Sequence, residues 1–190
     1  SVYGGWIAYQ SFDKDWLAAE RRTHQLSELL KMDWPQLSIE LLQAPEALKL
    51  LIGWTGSPAS TSRLVDKIAI AKAQKQEEYQ RFLTDSRETI QSMIAGFRNH
   101  SLTVIQKCLR RNRHSLDELA RFSEVEIETD ALKTMCELAE KAGGAAKFSG
   151  AGGGDCGIVL IDRSKQTAGL LKDWTQHNIE PLTFHVHEIV

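Results

Sequence analysis

Apolar residues along the chain recur with a helical period in some stretches and cluster in short runs in others, and each change of pattern marks an expected element. Residues 2–10 are apolar around adjoining Gly4 and Gly5, which predicts the end of a helix packed closely against a neighbour. From Asp13 to Met32 the spacing of Trp16, Leu17, Leu26, Leu29 and Leu30 predicts an amphipathic helix ending before Pro35. LSIELLQ (37–43) and LKLLIGW (48–54) are strand-length runs separated by Ala-Pro-Glu-Ala and predict an antiparallel pair. TGSPASTS (55–62) supplies turn and N-cap residues, and a helical tract follows from Thr61 to Gly96 with a break expected near Thr84-Asp85. Further helices are expected over 99–111, 115–122 and Asp130 to Lys141, the last stopped by Gly143-Gly144. AAKFS (145–149) and CGIVLID (156–162) read as strands flanking a glycine loop. A helix from Ser164 to His177 and a last strand over PLTFHVHEI (181–189) complete an α+β arrangement of helices layered on a sheet.

With 190 residues, 42% of them hydrophobic and 25% charged, the chain is long enough to bury a sizeable core in one main domain. A net charge of -2 and a pI near 6.3 speak against a broad nucleic-acid surface, which needs clustered Lys and Arg in excess, so the expected partner is a small molecule or a protein. Cys108, Cys136 and Cys156 lie far apart and form no Cys-x-x-Cys or Cys/His ligand pair, which fits neither zinc nor a disulfide framework and points to a reducing cytoplasm. No apolar run is long enough to span a bilayer. The chain starts on SVYGGWIAYQSF, without Met or signal-peptide features, and reads as beginning mid-domain.

Candidate chemistry concentrates in Lys147-Phe148-Ser149-Gly150-Ala151-Gly152-Gly153-Gly154-Asp155-Cys156-Gly157. Glycines permit positive φ and close approach of the backbone, so successive N–H groups can converge on an anion such as phosphate. No Gly-Lys-Ser/Thr follows, so this is not a Walker loop, and it leads into a strand instead of opening a helix, so it is not a dinucleotide fingerprint. A glycine-rich hairpin without a ligand is the alternative.

The longer stretch DALKTMCELAEKAGGAAKFSGAGGGDCGIVLI resembles the third motif of the GHMP kinases together with its preceding helix and following strand. Asp155 stands where the usual form has a fourth glycine, and Gly-Gly-Gly-Asp-Cys-Gly is similar to the version found in the phosphomevalonate kinase branch. GWTGSPASTSRLV (53–65) looks like a stretch characteristic of that branch, and SVYGGWIAYQSF resembles the segment that follows the family's catalytic Asp. The resemblance implies a ferredoxin-like antiparallel sheet with helices over 36–190, and over 1–35 the tail of an N-terminal domain with a linking helix. It implies transfer of a phosphoryl group from ATP, with Mg²⁺, to (R)-5-phosphomevalonate. The nucleotide-binding motif and catalytic Asp would then precede Ser1, in an N-terminal half that completes the enzyme.

On this reading Ser149, Gly150, Ala151, Gly152, Gly153 and Gly154 face the acceptor or the transferring group through backbone amides and the Ser149 hydroxyl. Lys147 suits phosphate as a cation or is merely solvated, and Asp155 orders metal or caps its own loop. Ser57, Ser60 and Thr61 cap a helix whose N-terminus also suits a substrate phosphate or carboxylate. Lys107, Arg110, Arg111 and Arg113 read as a solvated helix end. His185 and His187 alternate on the expected last strand without a third metal ligand, and Trp6 and Trp54 read as core. Two rivals stay open: another acceptor within the family, mevalonate or homoserine, and a non-catalytic domain that senses a phosphorylated metabolite.

Overall fold

The computed structural model describes residues 3–56, 61–150 and 152–187. The chain forms two compact units, one of residues 1–43 with 186–190 and the other of residues 44–185.

In the first unit, β1 (Trp6–Gln10) and β2 (Ser38–Leu42) form an antiparallel ribbon, in register from Trp6 opposite Leu42 to Gln10 opposite Ser38. In place of the helix end expected over 2–10, residues 6–10 form a strand. Gly4 and Gly5 take positive φ, which the interior of an α-helix does not accommodate, and lead into the strand; the Gly5 amide donates to the His187 carbonyl at 2.9 Å. The single helix expected over 13–32 is two, α1 (Lys14–Glu20) and α2 (Leu26–Leu29). Asp13 caps the first by accepting from the amides of Asp15 and Trp16, and the Glu28 carboxylate accepts from the Gln25 amide to start the second.

The second unit is built on a four-stranded sheet of order β4-β5-β3-β6, where β3 is Leu48–Trp54, β4 Ala145–Phe148, β5 Cys156–Asp162 and β6 Glu180–Leu182. Every neighbouring pair is antiparallel. Between β3 and β4 run α3 (Thr61–Gln74), α4 (Gln76–Arg98), α5 (Leu102–Ser123) and α6 (Asp130–Lys141), and α7 (Ala168–Gln176) joins β5 to β6. This is the α+β layering expected from the pattern of elements, with the ferredoxin-like antiparallel sheet that the resemblance implies. The strand pair expected between 37–43 and 48–54 does not form. β3 buries Leu48, Leu51 and Gly53 and takes a central place between β5 and β6, whereas the half-exposed β2 pairs with β1.

The core includes one cluster of Met135, Cys136, Val159, Ile161 and Trp174 with their neighbours where α6 and α7 meet the sheet, and another of Leu119, Val125, Ile127, Leu132 and Phe148 toward the helices. The helix break falls at Lys75, outside the helical φ/ψ region, and not at Thr84-Asp85. Thr84 is satisfied inside α4 by its i−4 bond to the Gln80 carbonyl, and Asp85 by Arg111 of α5. The helices expected over 99–111 and 115–122 are one continuous α5. The helix expected from Ser164 starts later, at Ala168, because Asp162 accepts from the Ser164 amide in a turn. The last strand covers three residues.

Candidate functional site

β4 and β5 are joined by the glycine loop, closed at its base by the Ser149 amide donating to the Cys156 carbonyl at 2.8 Å. Gly150, Gly152, Gly153 and Gly154 all have positive φ. Two of them need glycine for different reasons. A Cβ on Gly150 (φ 66°) would meet nothing within 4 Å, so only the backbone conformation argues for glycine and the space beside it is open. A Cβ on Gly152 (φ 82°) would lie 2.3 Å from the Ile127 carbonyl oxygen and 2.6 Å from its Cγ2. The neighbouring Gly153 amide donates to that same carbonyl at 2.8 Å. Gly152 and Gly153 are thus seated on the segment between α5 and α6, while Ser149 and Gly150 are exposed.

The end of β3 lies against this loop. Register places Trp54 opposite Cys156 and Gly53 opposite Gly157, and Met135 of α6 fills the space that side chains on those two glycines would need. Just beyond, the Thr55 amide and hydroxyl both donate to the Asp155 carbonyl, at 2.9 and 3.0 Å, and the Trp54 indole Nε1 donates to the Asp155 carboxylate at 3.2 Å. Strand pairing therefore joins GWTG and SGAGGGDC, about a hundred residues apart, into one rim. Trp54 is 39% exposed and belongs to that rim, not to the core. Thr61 opens α3, on the same connection. Ser57, Ser60, Ala151 and the Thr61 side chain lie outside the described residues. Lys147 is half-buried in β4, with Nζ 5.1 Å from the Phe148 ring centroid and no ion pair among the described residues. Burial holds its pKa below the usual lysine value.

A family model described as the GHMP kinases C-terminal domain matches residues 93–178, from the last turns of α4 through α7. Residues 93–178 belong to the GHMP kinase C-terminal domain family. It is 36% identical over 184 residues to the phosphomevalonate kinase of Streptomyces sp. strain CL190, an alignment covering 96% of this chain and 49% of that protein. Among solved structures it is similar to the Lin0012 protein of Listeria innocua, with 38% identity, a TM-score of 0.92 and 98% of this chain against 52% of that one. It is also similar to Streptococcus pneumoniae phosphomevalonate kinase in complex with phosphomevalonate and AMPPNP, with 32% identity, a TM-score of 0.80 and 94% against 51%. The chain thus spans about half the length of each relative.

In this GHMP kinase domain the basic run is not a solvated helix end. It lies in the middle of α5, and three of its four cations are bound by other segments: Arg110 by Glu140 and the Gly144 carbonyl, Arg111 by Asp85 and Glu88, and Arg113 by Glu128. Lys107 is exposed. His185 and His187 follow β6 and are not part of it, and no three metal-ligating side chains converge among the described residues. All three cysteines are free thiols. Burial pushes Cys136 up to about 12, and burial followed by the Asp155 carboxylate raises Cys156. No helix among the described residues is long and apolar enough to cross a membrane. A hollow of about 450 Å³ between α4 and α5, lined by Arg81, Phe82, Asp85, Ser115 and neighbours, shares no residue with the rim.

The roles of Thr55, Ile127 and Met135 were not read from the sequence. The alternation in Val125-Glu126-Ile127-Glu128, apolar then acidic, is the one local signal that one side of the segment is buried there.

Proposed function

We propose that this domain supplies the acceptor side of an ATP-dependent kinase that phosphorylates (R)-5-phosphomevalonate to the 5-diphosphate in the cytoplasm, with the nucleotide cradle and catalytic Asp in the N-terminal half of the same enzyme. The observation that carries the reading is the joined rim. Two stretches that each resemble the phosphomevalonate kinase branch meet at Asp155, and relatives with that name match almost the whole chain.

Within the rim, division of labour follows from which groups are already bonded. Gly152 and Gly153 anchor the loop on Ile127, leaving the exposed Ser149 hydroxyl and the open backbone at Gly150 to meet a phosphoryl oxygen. Lys147 at the base of the loop contributes a positive charge with no carboxylate to neutralise it among the described residues. Asp155 ties the loop to β3, and Ser57, Ser60 and Thr61 stand on the connection that begins there. Transfer between two phosphates depends on positioning and charge stabilisation more than on covalent help from the protein, so a rigid, correctly spaced loop is the main contribution such a domain can make. ATP, when bound, supplies the transferred group. For Mg²⁺, the described residues of the rim offer the Asp155 carboxylate alone, and it already accepts from Trp54; these residues do not build a Mg²⁺ site by themselves.

The test is coupled ADP release by the intact protein with phosphomevalonate, mevalonate and homoserine in turn. Turnover confined to phosphomevalonate, with KM raised and folding retained in Ser149→Ala, is the expected result. Preference for mevalonate or homoserine would transfer the domain to another acceptor, and phosphomevalonate binding without turnover would favour the metabolite-sensing rival.

A further inference from the structure

The seat of the glycine loop is itself held from behind. Between α5 and α6 burial alternates along the chain: Val125 and Ile127 are buried and pack with Phe148, the residue preceding Ser149, whereas Glu126 is exposed and Glu128 half-buried. Ile127 provides both the carbonyl that accepts the Gly153 amide and the surface against which Gly152 lies without room for a Cβ. The next residue, Glu128, is gripped by Arg113 through two hydrogen bonds, Nε to Oε1 and Nη2 to Oε2, each 2.8 Å. A fork-on-carboxylate pair fixes the plane of the carboxylate as well as its distance, and both side chains are only about one-fifth exposed, so solvent competes weakly with it. Arg113 is anchored in turn at the middle of the 22-residue α5. A continuous path runs from α5 through Arg113, Glu128 and Ile127 to Gly152-Gly153.

We propose that Arg113 and Glu128 are positioning residues of the glycine loop: by fixing the segment between α5 and α6 they fix the Ile127 carbonyl, and through it the disposition of Ser149 and Gly150 toward phosphate. The effect on turnover rests on the kinase reading above; the mechanical coupling rests on this chain alone. Arg110 and Arg111 serve as internal comparisons, because they brace α5 to α6 and α4 without touching Ile127 or Glu128.

The experiment compares Arg113→Lys, which keeps the charge and loses the fork, and Glu128→Gln, which keeps the shape and loses the charge, with Arg111→Lys as the purely structural comparison. Amide hydrogen exchange at Gly153 is read on each folded variant, and kcat and KM for phosphomevalonate are read on the intact protein well below its unfolding midpoint. Arg113→Lys and Glu128→Gln are expected to speed Gly153 exchange and to lower kcat/KM about 10- to 100-fold, the scale of a misplaced reacting group, while Arg111→Lys lowers the unfolding midpoint and changes neither. The exchanged pair Arg113→Glu with Glu128→Arg is expected to recover part of the Gly153 protection. Unchanged Gly153 exchange in folded Arg113→Lys, or an equal change in Arg111→Lys, would overturn the coupling. Altered exchange with unaltered kinetics in an active enzyme would overturn the catalytic consequence. Altered exchange in a protein whose wild type ignores phosphomevalonate would leave the coupling standing and remove the kinase reading.

Discussion

Replacing Gly152 with alanine meets two obstacles at once. The first is conformational: at φ 82° an L side chain pays about 1–2 kcal/mol for the left-handed region. The second is steric. The new Cβ would stand 2.3 Å from the Ile127 carbonyl oxygen, and the two must part by roughly 0.7 Å to reach the 3.0 Å below which Cβ contacts are essentially unknown. Both atoms belong to well-seated backbone, so no flexible side chain can yield. Separation breaks the Gly153 amide bond to the same carbonyl, a further loss of about 0.5–1.5 kcal/mol. The total is about 1.5–3.5 kcal/mol. Gly150→Ala isolates the first part, since its φ of 66° carries the same conformational cost and its Cβ meets nothing within 4 Å. Urea unfolding followed by far-ultraviolet circular dichroism reports on the residue 44–185 unit, which holds the five helices α3–α7. With a slope of about 1–3 kcal/mol per molar urea, Gly152→Ala is expected to lower the midpoint by about 1–2 M, clearly more than Gly150→Ala does. Equal midpoints for the two variants would refute the argument that Ile127 constrains the loop.

Three further outcomes follow from particular contacts. Burial depresses the Lys147 pKa, so the unfolded chain holds that proton more tightly and stability rises with pH between the folded value and the ordinary lysine value of about 10.4; Lys147→Met is expected to be the more stable protein at pH 7, with an advantage that shrinks across that window, and a pH-independent difference in chemical unfolding would contradict this. Cys136 and Cys108 are buried, so a thiol reagent at pH 7.5 is expected to modify Cys156 first, and Asp155→Asn, which removes the neighbouring negative charge and keeps an acceptor for Trp54, is expected to speed that reaction; no acceleration would mean that burial alone sets the thiol. Gly157→Ala would place a Cβ 2.0 Å from Met135 Cε, and because a methionine can bend away the expected cost is about 1–3 kcal/mol, partly recovered by Met135→Leu; full stability in the single variant would show that the strip beside Gly53 and Gly157 is not tightly filled.

What could be read from the sequence was local. α6 and its stop at Gly143-Gly144, the strands on either side of the glycine loop and the loop itself all carry their signals within a dozen residues, and they stand where expected. The basic run misled because its meaning is non-local: Arg110, Arg111 and Arg113 find their acids 30, 26 and 15 residues away, on segments whose approach no short pattern announces. Residues 6–10 misled for the opposite reason, since two adjoining glycines resemble a helix stop as much as they resemble the entry to a strand. For the site, composition pointed to the loop, but Trp54 and Thr55 become its neighbours only through the register of β3 on β5, and Ile127 only through the packing of the α5–α6 segment against Phe148.

The meeting of two distant stretches at Asp155 has a consequence for how variants of this domain are inherited and scored. One residue accepts from Thr55 through its main chain and from Trp54 through its side chain, so the corner after β3 and the corner before β5 are not separate targets for mutation. A change at Trp54 alters what Asp155 must do, and the reverse, so single-site surveys will misjudge both positions. Paired libraries over 54–55 and 155 are the unit in which this part of the molecule can drift, and acceptable combinations there should appear as matched sets, not as independent tolerances.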